Sequence, residues 1–225
     1  EREKTMESRL FSAAAKKRLC GAVVLCAFAA LADEPFMAIR LWPQHHNEPA
    51  IFAATLAALT KYRSACDEVW FCTEDGFPPL AVHEDSAKRM AEAADACRKA
   101  GIVPSLQIGM TIGHCDNFSP MDCSMLTWGT MVGEDGVRAK TVSCPRRPAF
   151  LDYVRARCAA YAVVRPHSVW LDDDMRLASH GPVRLGCFCD DCLADFAKKT
   201  GVRRTREELN EARKTDPAVA RAWAE

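Results

Sequence analysis

Between residues 36 and 201, short apolar runs alternate with segments in which apolar residues recur every three or four positions. The runs are typical of buried β-strands, and the periodic segments are typical of helices packed on one face. Repeated strand–helix–strand units require parallel strands joined by right-handed crossovers. The predicted strands are residues 36–42, 68–72, 102–111 and 168–172.

Boundary signals support the helices between and after these strands. Asn47 is placed to cap a helix with Pro49 in its first turn, and Gly101 and Gly201 stand where two later helices should stop. The predicted helices cover residues 84–100, 150–161 and 192–199. The helix over 150–161 presents Phe150, Val154, Cys158 and Tyr161 on one face. Two more helices are expected from a capping-box pattern at Thr205 and from Asp216-Pro217.

Parallel units of this kind form either a doubly wound sheet or a barrel. The dinucleotide-binding version of the first needs Gly-x-Gly-x-x-Gly after the first strand, where Trp42-Pro43-Gln44 stands instead. We therefore predict the α/β class and a partial (β/α)8 TIM barrel of roughly the first four βα units. A whole barrel takes about 250 residues, so residues 33–225 are expected to form a truncated N-terminal half.

The first 32 residues have the order of a signal peptide. Arg9, Lys16, Lys17 and Arg18 precede the apolar residues 19–31, and the small-x-small pattern Ala30-Leu31-Ala32 follows before Asp33. An amphipathic leading helix is the alternative. The apolar run is shorter than the roughly 20 residues that span a bilayer. We expect a secreted or periplasmic protein with no stable membrane insertion after cleavage.

Charge and cysteine content narrow the function classes further. Thirty Lys and Arg balance thirty Asp and Glu, so the formal charge is zero and a nucleic-acid partner is not expected. Twelve cysteines are many for an ordinary chain, yet 225 residues are too many for a small disulfide scaffold. The cysteines therefore have a local role.

That role is indicated by Cys187-x-Cys189-x-x-Cys192, which lies just before a predicted helix. Tetrahedral zinc favours four such ligands, and Cys144 is the candidate for the fourth. With four protein ligands the zinc would be structural. Two disulfides or a redox centre are the alternatives. The other cysteines, such as Cys72, Cys97 and Cys158, are expected to be small core residues.

Polar residues recur where the predicted strands end, and the carboxyl ends of barrel strands build active sites. General loop polarity is the alternative explanation for this pattern. The residues concerned are Arg40 and Trp42, Glu74 and Asp75, His114 and Asp116, and finally Asp172, Asp173, Asp174 and Arg176.

Residues of roughly positions 140–215 resemble the first half of a glycoside hydrolase family 42 β-galactosidase, or of a related barrel glycosidase. The resemblance is carried by Ser143-Cys144-Pro145, Pro148-Ala149-Phe150, His167, Cys187-x-Cys189-x-x-Cys192, Phe196, Gly201 and Leu209-Asn210. It implies a barrel acting on carbohydrate and a structural zinc on the four cysteines. The family's fourth strand ends in Asn-Glu, where the Glu is the general acid/base, and the corresponding positions here are Asp172-Asp173-Asp174.

Glycoside hydrolysis needs two carboxyl groups, one of which donates a proton to the leaving oxygen. Three adjacent carboxylates favour a proton on one of them, so we predict Asp174 as the acid, with Asp173 as the second candidate. The predicted substrate-binding residues are Arg40, Trp42, Glu74, His114, Asp172 and Arg176, and Trp128 is a further stacking candidate. Alternatively, the aspartates bind a hard cation or cap the following turn.

By the resemblance, the second carboxylate belongs to strand seven, so this polypeptide alone is expected to be inactive. The alternative function is a non-catalytic, zinc-stabilised carbohydrate-binding or structural barrel. Homo-oligomer formation is left open by the sequence.

Overall fold

The computed structural model describes residues 37–117, 121–172 and 175–225. The predicted signal peptide lies outside these residues, as do Asp173 and Asp174. The strands are β1 (Ala38–Leu41), β2 (Glu68–Cys72), β3 (Val103–Ile108), β4 (Thr130–Val132), β5 (Arg138–Ser143) and β6 (Val169–Leu171). The helices are α1 (Pro43–His46), α2 (Pro49–Lys61), α3 (Leu80–Lys99), α4 (Pro148–Tyr161), α5 (Asp190–Thr200), α6 (Arg206–Thr215) and α7 (Pro217–Ala224).

Four strands form a parallel sheet in the order β1-β2-β3-β6. Leu41 pairs with Phe71, Phe71 with Leu106, and Leu106 with Val169, so these side chains share one face. All four predicted strands are present, and β2 has the predicted bounds. The α/β class is confirmed, with each strand of this sheet lying beside its neighbour in the chain.

The helices pack on one face of this sheet. Helices α2, α3 and α4 meet it there because their apolar stripes face the alternate apolar residues of the strands. The core so formed consists of Leu41, Leu59, Val69, Phe71, Met90, Ala94, Cys97, Leu106, Ile108, Tyr161 and Val164. Because α2, α3 and α4 all pack on this side, they do not cover the opposite face of the sheet.

The opposite face is polar and aromatic. The rings of Trp70 and Trp170 stack with centroids 4.1 Å apart and an interplanar angle of 26°. Beneath them the Ser105 and Ser168 hydroxyls lie 2.8 Å apart, and Ser168 also donates to Oε1 of Glu68 at 2.9 Å. A strand normally presents this chemistry to solvent or to a polar cavity.

The long segment between β3 and α4, for which no strand was predicted, contains an antiparallel hairpin of β4 and β5. Asp135-Gly136 forms its turn, with the Gly133 N–H donating to the Val137 carbonyl at 2.8 Å and Gly136 at φ 84°. Asp-Gly between apolar residues is a hairpin signal. The hairpin escaped prediction because β4 has only three residues.

Helix α4 also corrects a prediction. Its buried residues are Phe150, Tyr153, Arg157 and Tyr161, which recur at intervals of three and four. The predicted stripe ran instead through Val154 and Cys158, one position further along, and Cys158 is exposed. The burial of an arginine on the apolar side explains the error, since sequence patterns assign Arg to the solvent face.

Helices α5, α6 and α7 enclose a further small core with Phe188, Phe196 and Leu209 buried. The capping box at Thr205 is confirmed, because Thr205 Oγ1 accepts from the Glu208 N–H at 3.2 Å and Glu208 Oε2 from the Thr205 N–H at 2.8 Å. Trp223 packs against Phe188 with ring centroids 4.6 Å apart. Among the described helices, none has the length and apolar character needed to cross a membrane.

Candidate metal centre and strand-end site

Four buried cysteines, Cys144, Cys187, Cys189 and Cys192, converge on one point. Their sulfur atoms all lie within 4.8 Å of one another. Cys144 Sγ is 3.7 Å from that of Cys189 and 3.6 Å from that of Cys192, and the last two are 3.7 Å apart. The grouping predicted from the sequence is therefore confirmed as a cluster able to hold a metal ion.

These separations suit a tetrahedral ion. A Zn–S bond of about 2.3 Å places the sulfurs at the corners of a tetrahedron with edges of about 3.8 Å. A disulfide needs sulfurs about 2.05 Å apart, so the disulfide alternative does not match this arrangement. All ten cysteines of the described residues are free.

Local backbone structure places each sulfur. Cys144 directly follows β5, Cys189 is the N-cap residue of α5, and Cys192 lies in the first turn of that helix. Strand β4 positions Cys187 and Phe188. The Val132 N–H donates to Cys187 Sγ at 3.5 Å, and the Phe188 N–H donates to the Val132 carbonyl at 2.7 Å. The hairpin that the sequence analysis missed is thus one wall of the cluster.

The four thiols strongly influence one another's protonation. Hydrogen bonds from Cys144 lower the pKa of Cys187 and Cys189, whereas hydrogen bonding within the cluster, assisted by burial, raises the pKa of Cys144 and Cys192. Arg147 pairs with Asp191, and that carboxylate and the nearby thiolates raise its pKa. A positive charge at the rim partly offsets the charge of thiolates.

Outside the cluster, Cys72 and Cys97 are buried core residues, as predicted, and burial raises the pKa of each thiol to about 12. Buried thiols of this kind stay protonated and are poor nucleophiles. Among the described residues, the four-cysteine cluster is the one group that meets the geometry of a metal site.

At the carboxyl end of the sheet, a hydrogen-bonded row links three strands. The Cys72 thiol donates to Gln107 Oε1 at 3.5 Å, and Gln107 Nε2 donates to Asp172 Oδ2 at 3.1 Å. Arg40 lies near enough to lower the pKa of Cys72, while Asp75 and Asp172 raise it. The structure therefore brings Arg40 and Asp172, two predicted substrate-binding residues, to the same end of the sheet.

Trp42 follows β1 directly and is partly exposed. The Arg40 guanidinium lies 5.3 Å from the centroid of the Trp42 ring, within range of a cation–π contact. The Trp42 N–H donates to Nδ1 of His45 at 3.0 Å, which fixes the start of α1. An open indole with a cation on it is a surface that can stack on a ligand.

Glu74 lies just beyond β2 and is held by neighbours. Its Oε1 accepts from Asn47 Nδ2 at 2.8 Å. Arg157, which the sequence analysis did not identify, lies beneath it and is almost wholly buried. Its Nη2 donates to the Glu74 carbonyl at 3.0 Å, to the Gly109 carbonyl at 2.9 Å and to Thr73 Oγ1 at 2.6 Å. Arg157 thereby ties together the ends of β2 and β3.

His114 lies in the loop after β3. Its Nδ1 accepts from the Cys115 N–H at 2.9 Å, and its ring meets that of His180 edge to face at 6.1 Å. Asp116, by contrast, has a structural role, since its Oδ1 accepts from the N–H groups of Lys140 and Thr141 in β5. Of the two polar residues after β3, His114 therefore contacts Cys115 and His180, whereas Asp116 binds the hairpin.

Arg176 and Trp128, two further residues predicted to contact a ligand, have different surroundings. Arg176 is in the wall of a cavity of about 860 Å³ beside the cysteine cluster, together with Arg146, Lys198 and Trp223. Trp128 is a core residue, and the stacking role suggested for it is wrong. It is 8% exposed, its ring packs against Phe77, and its Nε1 donates to Ser143 Oγ at 2.9 Å.

Compared with the models of known protein families and with curated proteins, the chain matches none.

Proposed function

We propose that this chain is a carbohydrate-binding half of a (β/α)8 barrel, related in function to glycoside hydrolases and stabilised by a structural zinc ion. The observation that carries the proposal is the composition of one sheet end. Aromatic rings, a guanidinium and carboxylates meet at the carboxyl ends of parallel strands, where barrel enzymes bind their substrates.

The strand order supports the barrel. Strands that neighbour one another in sequence order, all with helices on the same face, are arranged as in a barrel wall. A doubly wound sheet reverses its order at a switch point and carries helices on both faces. Neither feature is found in the described residues.

Carbohydrate is the favoured ligand because the open face combines flat apolar rings with hydrogen-bonding groups. Trp42 and Trp170, each 38% exposed, supply the rings, while Asp172, held by Gln107, supplies acceptors. Sugar rings present apolar C–H faces and a rim of hydroxyls, which match such a surface. Asp173 and Asp174 follow Asp172 in the chain, and we propose that Asp174 acts as the general acid and Asp173 as its alternate.

Zinc is favoured at the cysteine cluster because four soft ligands surround the point from which a tetrahedral ion would bind them. Since all four sulfurs are buried, no coordination position is left for water or substrate. The proposed role of the ion is therefore structural, joining the hairpin to α5.

Sugar binding can be tested on the purified chain through its tryptophan fluorescence. We expect galactosides or related oligosaccharides to change the emission, and Trp42→Ala and Asp172→Asn each to weaken binding at least tenfold. Tyr62→Ala is the matched control, because Tyr62 is an exposed aromatic residue that follows α2. The proposal is wrong if no saccharide binds, or if the control variant weakens binding equally.

Catalysis is tested separately from binding. Where an active form of the barrel is assembled, Asp174→Asn should abolish hydrolysis of nitrophenyl glycosides while saccharide binding is retained. Binding without hydrolysis in both the unmodified protein and the variant would instead favour the non-catalytic alternative. Robust hydrolysis by an isolated single chain would contradict the expectation that a second half is required.

A further inference from the structure

We propose that the cavity of about 860 Å³ beside the cysteine cluster binds a small organic anion with an apolar, ring-bearing body. The cavity is lined chiefly by residues 176–187 and by helices α5, α6 and α7. It is a second site, separate from the strand ends, and it does not depend on the proposed carbohydrate function. The volume, the apolar wall and the charge balance of the cavity each point to this class of ligand.

The size and the apolar wall of the cavity suit an organic molecule better than an inorganic ion. Binding sites for small molecules are concave, occupy about 300 to 1,000 Å³ and are lined mainly by apolar and aromatic side chains. Here Phe196 and Trp223 supply aromatic rings, and Leu177 and Leu185 are each 45% exposed. A ligand with an apolar body would remove this surface from water, which favours binding.

The charge of the wall is predominantly positive. Arg146 Nη1 lies 2.9 Å from Asp195 Oδ2. Lys199 Nζ lies 3.1 Å from Glu225 Oε2, so both acids of the wall are already paired with cations. The charged residues that line the cavity are Arg146, Arg176, Lys198, Lys199 and Arg213 against Asp195 and Glu225. Because a cavity lined by an excess of one sign attracts the opposite charge, the suitable ligand is an anion.

Lys198 and Arg213 are the cations that such an anion would contact. Neither pairs with a carboxylate of the residues that the structure describes. The Arg213 guanidinium is held in place, because it lies 5.8 Å from the centroid of the Phe188 ring and donates through Nε and Nη2 to Asn210 Oδ1 at 3.1 and 2.7 Å. This neutral partner leaves the positive charge available for a charge-assisted hydrogen bond, which is stronger than a bond between neutral groups.

Trp223 adds an N–H donor to the same wall. Its indole is held by ring contacts with Phe188 and Phe196. Within the described part of the chain its Nε1 has no acceptor, and it lies 4.0 Å from the position that a Cβ on Gly186 would occupy. Gly186 has a φ of 108°, which favours glycine, so no side chain at this position covers the indole N–H. Cations, an N–H donor and a flat ring together suit a carboxylate, sulfonate or phosphate on an aromatic body.

The first test uses two fluorescent probes that differ in one charged group. Anilinonaphthalene sulfonate is an aromatic anion, and phenylnaphthylamine has the same rings without the sulfonate. Titrated into the metal-loaded full chain, the sulfonate should saturate one site per chain and bind at least tenfold more tightly than the neutral probe. Equal affinities overturn the proposal. So does the absence of saturable binding, which is the result expected if residues of the protein itself fill the cavity.

The second test removes the two cations. Lys198→Gln combined with Arg213→Gln should weaken binding of the sulfonate at least tenfold and change the affinity for the neutral probe less than twofold. The matched control is Lys61→Gln combined with Lys88→Gln, which removes the same charge from α2 and α3 outside the cavity. An equal loss in the control would show that net charge alone attracts the probe, and it overturns the site.

The third test locates the probe by filling the cavity without changing its charge. Ala220 lies in the wall on α7, and Ala220→Phe should weaken binding of the sulfonate at least tenfold. Ala57→Phe is the matched control, because Ala57 is exposed on α2 and does not line the cavity. Trp223→Phe should also lower energy transfer from tryptophan to the bound sulfonate more than Trp42→Phe does. Binding and energy transfer that survive these substitutions overturn the location.

A galactoside titration of the probe-bound protein separates this proposal from the proposed function. The galactoside should leave the sulfonate in place, since neither Trp42 nor Asp172 lines the cavity. Displacement of the sulfonate overturns a separate anion site. A protein that binds the sulfonate as described but binds no saccharide refutes the carbohydrate function alone.

Discussion

Replacing Cys189 by serine should remove the metal ion and with it much of the stability of the α5–α7 region. Cys144 and Cys189 are 45 residues apart in the chain, and an ion bound by both closes that loop. Treated like a disulfide across a loop of this length, the cross-link contributes about 4 kcal/mol through the entropy of the unfolded chain. For a chain of this size, that corresponds to a fall in Tm of roughly 8 to 16 °C.

The assay combines metal analysis with thermal unfolding followed by circular dichroism. We expect about one equivalent of zinc in the unmodified protein, a comparable fall in Tm when a chelator is added, and no further effect of the chelator on Cys189→Ser. Cys158→Ser is the matched control, because Cys158 is exposed on α4 and lies outside the cluster. The reasoning fails if Cys189→Ser retains both its zinc and its Tm.

Three further predictions concern stability. Burial, aided by the charge of Arg157, lowers the pKa of His83 from 6.5 to about 3. The contribution of the neutral imidazole to the free energy of unfolding is therefore complete above pH 6.5 and declines as the pH falls towards 3. Urea unfolding at pH 5 should show about 2 kcal/mol less stability than at pH 7, and His83→Gln should reduce this difference. Arg157→Met should lower the free energy of unfolding by about 3 kcal/mol, because three acceptors at the ends of β2 and β3 lose their donor; an unchanged urea midpoint would contradict this. Thr205→Ala should cost about 1 kcal/mol by removing the cap of α6, and the measurement is again urea unfolding, with Thr205→Ser retaining most of the stability.

Local periodicity was sufficient to locate the sheet and most helices. Strand β2 was predicted with its observed bounds because Val69, Trp70 and Phe71, three consecutive residues of high strand propensity, form its centre. Helix α3 begins at Leu80, four residues before its predicted start, because Pro79 and not a polar capping residue precedes it. Boundaries of this kind depend on backbone geometry that side-chain patterns only partly reveal.

The candidate sites were predictable to different degrees. The cysteine cluster could be found because three ligands lie within six residues, and the fourth follows a strand that leads to the same place. Arg157 could not, because its role depends on carbonyl groups of two other strands. The one available signal was its spacing from Tyr153 and Tyr161, which places an arginine on the buried side of α4.

The stacked tryptophans have a consequence for spectroscopy. Trp70 belongs to β2 and Trp170 to β6, so their rings meet across the intervening β3, where the small side chain of Ser105 leaves room for them. Two indoles 4.1 Å apart couple their electronic transitions, which produces a paired positive and negative band in circular dichroism. That optical signal would follow the assembly of three strands at once and would remain distinct from the unfolding of the region around the four-cysteine cluster.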